Sequence, residues 1–199
     1  MLHDNLSVGN NGRLYFAGMD TVALAKKHGT PLYLIDENKI RENCRTYVLL
    51  VQKHFGKKSI PLYASKALCY LDIYRILKDE GTGVDVVSGG ELFTALKAGF
   101  PAEIMFFHGN NKPDSEIDFA VGSGVGYFVV DNREELDGVA AAAGRYGKNQ
   151  KILLRLSPGI DPHTHKAVVT GSVDSKFGTA IETGQAMALV KHALSLPNV

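Results

Sequence analysis

The sequence lacks an excess of charge of either sign, and it lacks long apolar runs. Its 199 residues include 22 lysines and arginines against 21 aspartates and glutamates, a formal net charge of +1. It has no basic stripe that could neutralise the phosphates of a nucleic acid. No stretch approaches the roughly 18 apolar residues of a membrane-spanning helix, and the start resembles no signal peptide. We therefore expect a cytoplasmic protein without nucleic-acid or membrane partners.

Cysteine is scarce, and clusters with metal-ligand spacing are lacking. The two cysteines, Cys44 and Cys69, lie far apart and form no CxxC motif. This pattern predicts reduced thiols rather than a disulfide or a metal site. His163 and His165 form an HxH pair without a third ligand nearby. We expect that pair to belong to a hydrogen-bonded loop, and we expect no metal site.

Short apolar runs recur along the chain and alternate with segments whose apolar residues have helical spacing. The strand-like runs are SIPLYA (59–64), GVDVV (83–87), EIMFF (103–107), YFVVD (127–131) and KILLRL (151–156). Such alternation predicts βα units and a parallel sheet. Two helix starts carry the spacing of capping boxes, Ser88 with Glu91 and Asp131 with Glu134.

The chain before these units divides into a leader and a first strand and helix. Residues 1–30 hold RLYF (13–16) and a helical pattern at 20–29, and we interpret them as a leader. Residues 31–199 form the barrel part, which begins with the predicted strand PLYLID (31–36) and a helix over 37–55.

The Gly-rich signature of a dinucleotide-binding sheet is also lacking. That signature, GxGxxG, stands between a first strand and its helix, whereas GSGVG (122–126) precedes a strand. The pattern therefore favours an α/β fold of the (β/α)8 TIM-barrel type over a doubly wound sheet. A complete barrel has eight units and typically about 250 residues, so five units predict an incomplete barrel that is part of a longer protein. A last helix over 183–196 is expected to lead into the next strand at PNV.

Catalytic groups in a barrel follow the C-terminal ends of the strands, because the loops there converge on one face. The candidates at these positions are Ser65, Lys66, Asp85, His108, Asp131 and Arg155, together with the long loop 157–178. Lys66 is either a solvated charge or an amine that can form a Schiff base with a carbonyl group.

The other candidates also have two interpretations each. Asp85 can be a turn or capping residue, Glu91 a capping-box partner, and Asp131 a helix N-cap. Arg155 alternates with leucines in KILLRL, so its guanidinium can point into the barrel. An inward arginine needs a carboxylate, a phosphate or a cofactor oxygen as its partner, which leaves a structural ion pair and a cofactor contact open.

Five motifs in order resemble those of one known family. They are YASKA (63–67), GVDVVSGGEL (83–92), HGNNK (108–112), RLSPGIDPHTH (155–165) and SKFG (175–178). They are similar to the motif series of the diaminopimelate decarboxylases, which belong to the alanine-racemase-like, fold-type III pyridoxal-phosphate enzymes. The resemblance implies that Lys66 is the catalytic lysine that holds pyridoxal 5'-phosphate, and that Asp85 and Arg155 line the cofactor pocket.

The resemblance also implies an activity and an assembly. The activity is decarboxylation of meso-diaminopimelate to L-lysine and CO2, the last step of lysine biosynthesis, in a homodimer whose leader strand joins a separate C-terminal β-domain. Another fold-type III decarboxylase, acting on carboxynorspermidine, arginine or ornithine, and a noncatalytic pyridoxal-phosphate-binding homologue remain alternatives. The family has further cofactor-binding parts that we expect past Val199, so the isolated chain is expected to be inactive and to bind the cofactor weakly.

Overall fold

A computed structural model describes residues 3–160 and 177–199 of the chain. The chain divides into two units, Met1–Ser59 and Ile60–Val199. Most of the predicted loop 157–178, including His163 and His165, lies outside the described residues.

The first unit contains a small antiparallel sheet and two helices. The sheet has the order β1-β2-β3, and its elements are β1 (Leu6–Val8), β2 (Leu14–Phe16) and β3 (Met19–Asp20). The helices are α1 (Thr21–His28) and α2 (Glu37–Phe55). Each begins after an aspartate, Asp20 or Asp36, whose carboxylate accepts hydrogen bonds from backbone N–H groups of the first turn.

The predicted strand at 31–36 is wrong. The chain there has no regular structure, and the Tyr33 side chain is 94% exposed. A strand exists only when its backbone groups pair with a neighbour, and no described strand hydrogen-bonds to this segment. The apolar alternation of PLYLID indicates that the segment has a propensity to form a strand. It does not indicate whether a neighbouring strand is present to pair with it.

The second unit is an α/β fold built on a parallel sheet of five strands. The strands, in the order β4-β5-β6-β7-β8, are β4 (Leu62–Ala64), β5 (Gly83–Val86), β6 (Met105–Phe107), β7 (Tyr127–Val130) and β8 (Lys151–Leu154). The helices between them are α3 (Leu71–Asp79), α4 (Gly89–Lys97), α5 (Asp114–Ser123) and α6 (Arg133–Arg145).

The order of the strands distinguishes a barrel-type sheet from a doubly wound one. Neighbours in the chain are neighbours in the sheet without a reversal, and a doubly wound sheet requires a reversal. Consecutive helices also contact one another, α3 with α4, α4 with α5 and α5 with α6. The five predicted βα units thus form part of a TIM-type barrel wall, as expected, and the sheet does not close within the described residues.

The two faces of this sheet differ in character. On one face the central positions are fully buried, and they include Val86, Phe107 and Phe128. The alternate positions form the second face, where Asp85 and Phe106 are register partners. Phe106 stacks on the next ring in its row, with centroids 4.4 Å apart. In a barrel this second face is the interior, so the polar side chains of the site belong to it.

A sixth piece of parallel strand was not predicted. After Arg155 the chain continues as β9 (Leu156–Ser157), which pairs in parallel with β10 (Thr179–Ala180). Helix α7 (Gln185–Ser195) follows β10, close to the predicted helix over 183–196. The sixth strand therefore precedes this helix, and it escaped prediction because two residues carry no periodicity.

Candidate functional site

Charged side chains gather at the C-terminal ends of the parallel strands. Lys66 lies in a 3₁₀ turn, Ser65–Ala67, that directly follows β4, and Asp85 lies within β5. His108, Asp131 and Arg155 are the first residues after β6, β7 and β8. All the positions predicted from the barrel rule are therefore at the same end of the sheet.

Burial of Ser65 and two hydrogen bonds to Leu68 fix the turn that carries Lys66. Ser65 is fully buried, its carbonyl accepts a hydrogen bond from Leu68 N at 3.1 Å, and the Tyr63 hydroxyl donates to the Leu68 carbonyl. The Lys66 side chain is exposed. Its amine makes no hydrogen bond or ion pair with the residues that the structure describes. An amine on a fixed turn with no structural partner is available to react with a ligand.

Asp85 presents a carboxylate oxygen without a partner. Its Oδ1 is buried, and no hydrogen bond reaches it from the described residues. His108 Nε2 is 3.8 Å away, too far for a hydrogen bond. Burial, reinforced by the negative charge of Glu91, raises the pKa of Asp85 to about 6, and the Lys66 charge opposes this rise. At pH 7 the Asp85 carboxylate is therefore mostly ionised and open to a donor.

His108 is neutral at pH 7. Its backbone N–H donates to the Val86 carbonyl at 2.8 Å, which fixes the residue at the strand end. Burial, and then the positive charges of Arg155 and Lys112, lower the pKa of His108 to about 4. The His108 imidazole thus faces the site uncharged, with one nitrogen able to accept and the other able to donate.

Arg155 has the partner that an inward arginine needs. Its guanidinium donates to Asp131 Oδ1 at 3.2 Å, and its Cζ lies 4.4 Å from the centre of the Phe177 ring. Gly178 has a φ of +71°, and a Cβ there would lie 2.8 Å from the Arg155 carbonyl oxygen, so only glycine fits. The ion pair uses part of the five donors of the guanidinium, which leaves others for a ligand oxygen.

The expected N-cap of α6 is wrong by one residue. Asn132, not Asp131, is the cap, since its Oδ1 accepts from Glu135 N at 2.8 Å. The expected partner Glu134 is likewise replaced by Glu135, whose Oε2 accepts from Asp131 N at 3.3 Å. Both residues of the expected pair are therefore one position too early in the sequence, because Asp131 belongs to the connection between β7 and α6 and the helix begins one residue later. In contrast, the capping box of α4 is confirmed, with Glu91 N donating to Ser88 Oγ at 3.2 Å.

Lys112 and Glu135 were missed as members of this region. They form an ion pair of 2.7 Å, with side chains only 1% and 4% exposed. Lys112 is the last residue of the HGNNK segment. Its neighbours in the sequence, Pro113 and the helix that follows, indicate only weakly that its side chain is buried. The pairing joins residues that are distant in the sequence, which periodicity cannot predict.

Residues 37–199 match the family described as "Pyridoxal-dependent decarboxylase, pyridoxal binding domain". The chain belongs to this family. The cofactor predicted from the sequence, pyridoxal phosphate, is thereby confirmed as that of the family, and the resemblance to decarboxylases is confirmed with it.

Relatives within this decarboxylase family include several diaminopimelate decarboxylases. The enzyme of Bacillus methanolicus is 42% identical over 193 residues, which are 97% of this chain and 44% of that protein. The enzyme of Bacillus subtilis (strain 168) is 38% identical, covering 100% of this chain and 45% of that protein. The chain spans less than half the length of these relatives.

The solved structures that resemble this chain also include diaminopimelate decarboxylases. A crystal structure of diaminopimelate decarboxylase from M. jannaschii superimposes with a TM-score of 0.87 at 34% identity, covering 98% of this chain and 46% of that one. The same enzyme has been solved in a co-complex with L-lysine, with an equal TM-score. A lysine/ornithine decarboxylase from Vibrio vulnificus is more distant, with a TM-score of 0.67 at 26% identity.

The described part of the chain has neither a metal-ligand cluster nor a membrane-spanning helix. Residues 3–160 and 177–199 contain no group of three or more histidine, cysteine or acidic side chains that could hold a metal ion. Among these residues, no helix combines the length and the apolar character needed to cross a membrane.

Asp85 and His108 give opposite dependences of stability on pH. His108 has a pKa of about 4 against an ordinary 6.5, so its contribution to the free energy of unfolding is complete above pH 6.5 and is lost as the pH falls towards 4. Asp85 has a pKa of about 6 against an ordinary 3.8, so its contribution is complete below pH 3.8 and is lost as the pH rises through 6.

We therefore expect Asp85→Asn and His108→Gln to change the pH profile in opposite directions. Between pH 6.5 and 4, the Asp85→Asn variant should lose more stability than the wild type, because only the His108 contribution remains. The His108→Gln variant should lose less. Urea unfolding followed by circular dichroism at several pH values measures both. Profiles of both variants parallel to the wild type would contradict the assigned shifts.

Proposed function

We propose that this chain is the pyridoxal-binding part of an enzyme that decarboxylates meso-diaminopimelate to L-lysine and CO2. The observation that carries this proposal is the set of diaminopimelate decarboxylases that match nearly the whole chain at 38–42% identity. The more distant lysine/ornithine decarboxylases match at 26% and less well in structure. The chain thus lies nearer to the first group in both sequence and fold.

The residues of the site fit pyridoxal phosphate. The exposed amine of Lys66 can condense with an aldehyde and release water. The buried oxygen of Asp85 that lacks a partner calls for a donor that the protein itself does not provide. We propose that Lys66 holds the cofactor and that Asp85 and Arg155 line its pocket, as the sequence predicted. When bound, pyridoxal phosphate supplies an electron sink for the pair left behind as CO2 departs.

Each protein group has a role that follows from its charge. The Asp85 carboxylate attracts the Lys66 ammonium and can accept a hydrogen bond from it or from a cofactor nitrogen. The guanidinium of Arg155, fixed by Asp131, directs its remaining donors to an anionic oxygen. His108, kept neutral by burial, can accept a hydrogen bond at one ring nitrogen and donate one from the other without adding a positive charge to the site.

The organisation of the whole protein is a further part of the proposal. We propose that residues 1–30 are a leader whose strand joins a separate C-terminal β-domain, and that residues 31–199 form the pyridoxal-binding barrel part. The antiparallel pairing of β1 with β2 supports a leader with strand character. We also propose a cytoplasmic homodimer that takes an amino acid as its substrate. Light scattering of the full-length protein tests the dimer, and a monomer at all concentrations would exclude it.

A substrate panel tests the proposed activity. A full-length protein containing this chain, supplied with pyridoxal phosphate, is given meso-diaminopimelate, ornithine, arginine and carboxynorspermidine in separate reactions, and CO2 and amine products are measured. We expect L-lysine from meso-diaminopimelate, with kcat/KM at least about 100-fold above that of the other substrates, since a mismatch in an apolar pocket already costs about 100-fold and a lost hydrogen bond costs more. A higher kcat/KM for another amino acid of the panel would show that meso-diaminopimelate is not the substrate. Cofactor binding without turnover of any of the four amino acids would indicate a noncatalytic homologue.

A further inference from the structure

The ammonium group of Lys112 is completely enclosed by protein. Its Nζ donates to the Gly109 carbonyl at 2.8 Å, to the Val129 carbonyl at 2.9 Å and to Glu135 Oε1 at 2.7 Å. These three bonds use all three donors of a lysine. They also join three separate pieces of chain, namely the segment after β6, the end of β7 and the first turn of α6. Lys112 therefore ties together the strand ends from which the site is built.

From Glu135 a continuous series of contacts leads to Arg155. Glu135 Oε2 accepts from Asp131 N at 3.3 Å, and Asp131 Oδ1 accepts from Arg155 at 3.2 Å. Asp131 is only 5% exposed, so its carboxylate has little freedom to take another position. The position of the Arg155 guanidinium thus depends on the buried pair two contacts away.

On the opposite side Lys112 restrains His108. The Gly109 carbonyl that it binds belongs to the residue directly after His108, and Gly109 has a φ of +115°, which residues other than glycine rarely adopt. The His108 ring is 3.8 Å from Asp85. This bond therefore restrains the direction in which the chain leaves β6, in addition to the backbone bond from His108 N to the Val86 carbonyl.

Stability alone does not account for a buried pair of this kind. Burial lowers the pKa of Lys112 and raises the pKa of Glu135, so each charge is costly where it stands even with its partner present. Replacement of buried ion pairs by apolar residues of similar volume is often neutral or stabilising. Unlike apolar residues, the pair forms directional hydrogen bonds to particular backbone and side-chain atoms.

We propose that Lys112 and Glu135 are positioning residues that form a buried brace behind the site. The brace fixes Arg155 through Asp131 and His108 through Gly109, and neither member touches the cofactor or the substrate. The expected effect of the brace on cofactor capture rests on the proposed function. Its effect on the positions of Arg155 and His108 does not, because it concerns the protein without ligand.

The test uses Lys112→Met, Glu135→Gln and the double variant Lys112→Met/Glu135→Leu. Each single variant leaves one buried group without its partner and is expected to be destabilised. The double variant removes both charges and is expected to regain most of the stability. The matched control is Arg145→Met, which breaks an ion pair of the same 2.7 Å length between α6 and α5, on side chains that are 59% and 41% exposed.

The first measurement is made without cofactor. NMR signals of the Arg155 Nε–H and of the His108 ring are compared among the wild type, the double variant and Arg145→Met. We expect both signals to shift in the double variant and to stay in place in the control. Unchanged signals in a stable double variant would overturn the brace, whatever the protein binds.

The second measurement concerns the cofactor. Capture of pyridoxal phosphate is followed by borohydride reduction and mass spectrometry at limiting cofactor concentration. In the double variant we expect the rate of capture to fall at least about tenfold although its stability is restored, since small displacements of reacting groups reduce rates up to roughly 100-fold. A double variant that captures at the wild-type rate would refute the positioning role. Failure of the wild type to capture would count against the proposed function instead, and the NMR signals alone would then decide on the brace.

Discussion

Replacement of Lys66 by alanine is expected to abolish covalent capture of pyridoxal phosphate and, in the full-length protein, to reduce decarboxylation at least about 10³-fold. The reason is chemical, because within the described residues Lys66 offers an exposed amine at the strand ends that has no structural partner. Loss of the amine removes the covalent bond by which the chain is proposed to hold the cofactor. Borohydride reduction followed by mass spectrometry measures the attached fraction, and a steady-state assay measures turnover.

The control for this prediction is Lys66→Arg. Arginine keeps a positive charge beside Asp85 and His108, but its guanidinium stays protonated and does not condense with an aldehyde under these conditions. We expect Lys66→Arg to fail as completely as Lys66→Ala. Capture by the arginine variant would place the attachment on another residue and would leave Lys66 only the role of a positive charge in the site. Normal capture by the alanine variant would place the attachment on another residue.

Replacement of Phe107 by alanine is expected to lower the free energy of unfolding by about 3–5 kcal/mol. The side chain is fully buried, and its ring packs 5.6 Å from the ring of Phe128 on the neighbouring strand. The Lys112 ammonium lies 5.7 Å from the same ring, so the cavity would open beside the buried ion pair. Urea unfolding is followed by circular dichroism, since the chain contains no tryptophan.

The matched control for Phe107 is Phe93, on α4. Its side chain is 54% exposed, and it contacts the Lys97 ammonium at 5.4 Å. Phe93→Ala should cost no more than about 1 kcal/mol, since little apolar area returns to water and an exposed cation–π contact is weak. Equal losses for the two variants would contradict the assignment of the buried face of the sheet as the core.

The alternation of strands and helices was predictable because each element carries its own periodicity. The apolar runs at β5, β6 and β7 are mostly buried strands of a parallel sheet, and such strands are apolar along most of their length. The segment PLYLID shows the limit of this reasoning. PLYLID is apolar like the runs that form strands, but a strand also needs a neighbouring strand to pair with its backbone groups. The residues of the segment itself do not specify whether that neighbour is present.

The positions of the site residues were predictable from one rule, and their partners were not. Lys66, Asp85 and Arg155 follow from the position of catalytic groups at strand ends. The partner of Arg155 is Asp131, and the sequence assigned that residue to a helix cap because N-cap preferences cannot separate it from the adjacent Asn132. The buried pair of Lys112 with its glutamate depends on how helix α6 packs on the sheet, which local patterns do not specify.

Peptide mapping shows directly whether Lys66 is the residue that holds pyridoxal phosphate. A full-length protein that contains this chain is incubated with pyridoxal phosphate, reduced with borohydride, digested and mapped by mass spectrometry. We expect one reduced pyridoxyl group, carried by the peptide that contains Lys66. Attachment to a different lysine, or no attachment under conditions in which a diaminopimelate decarboxylase of full length is labelled, would contradict this expectation.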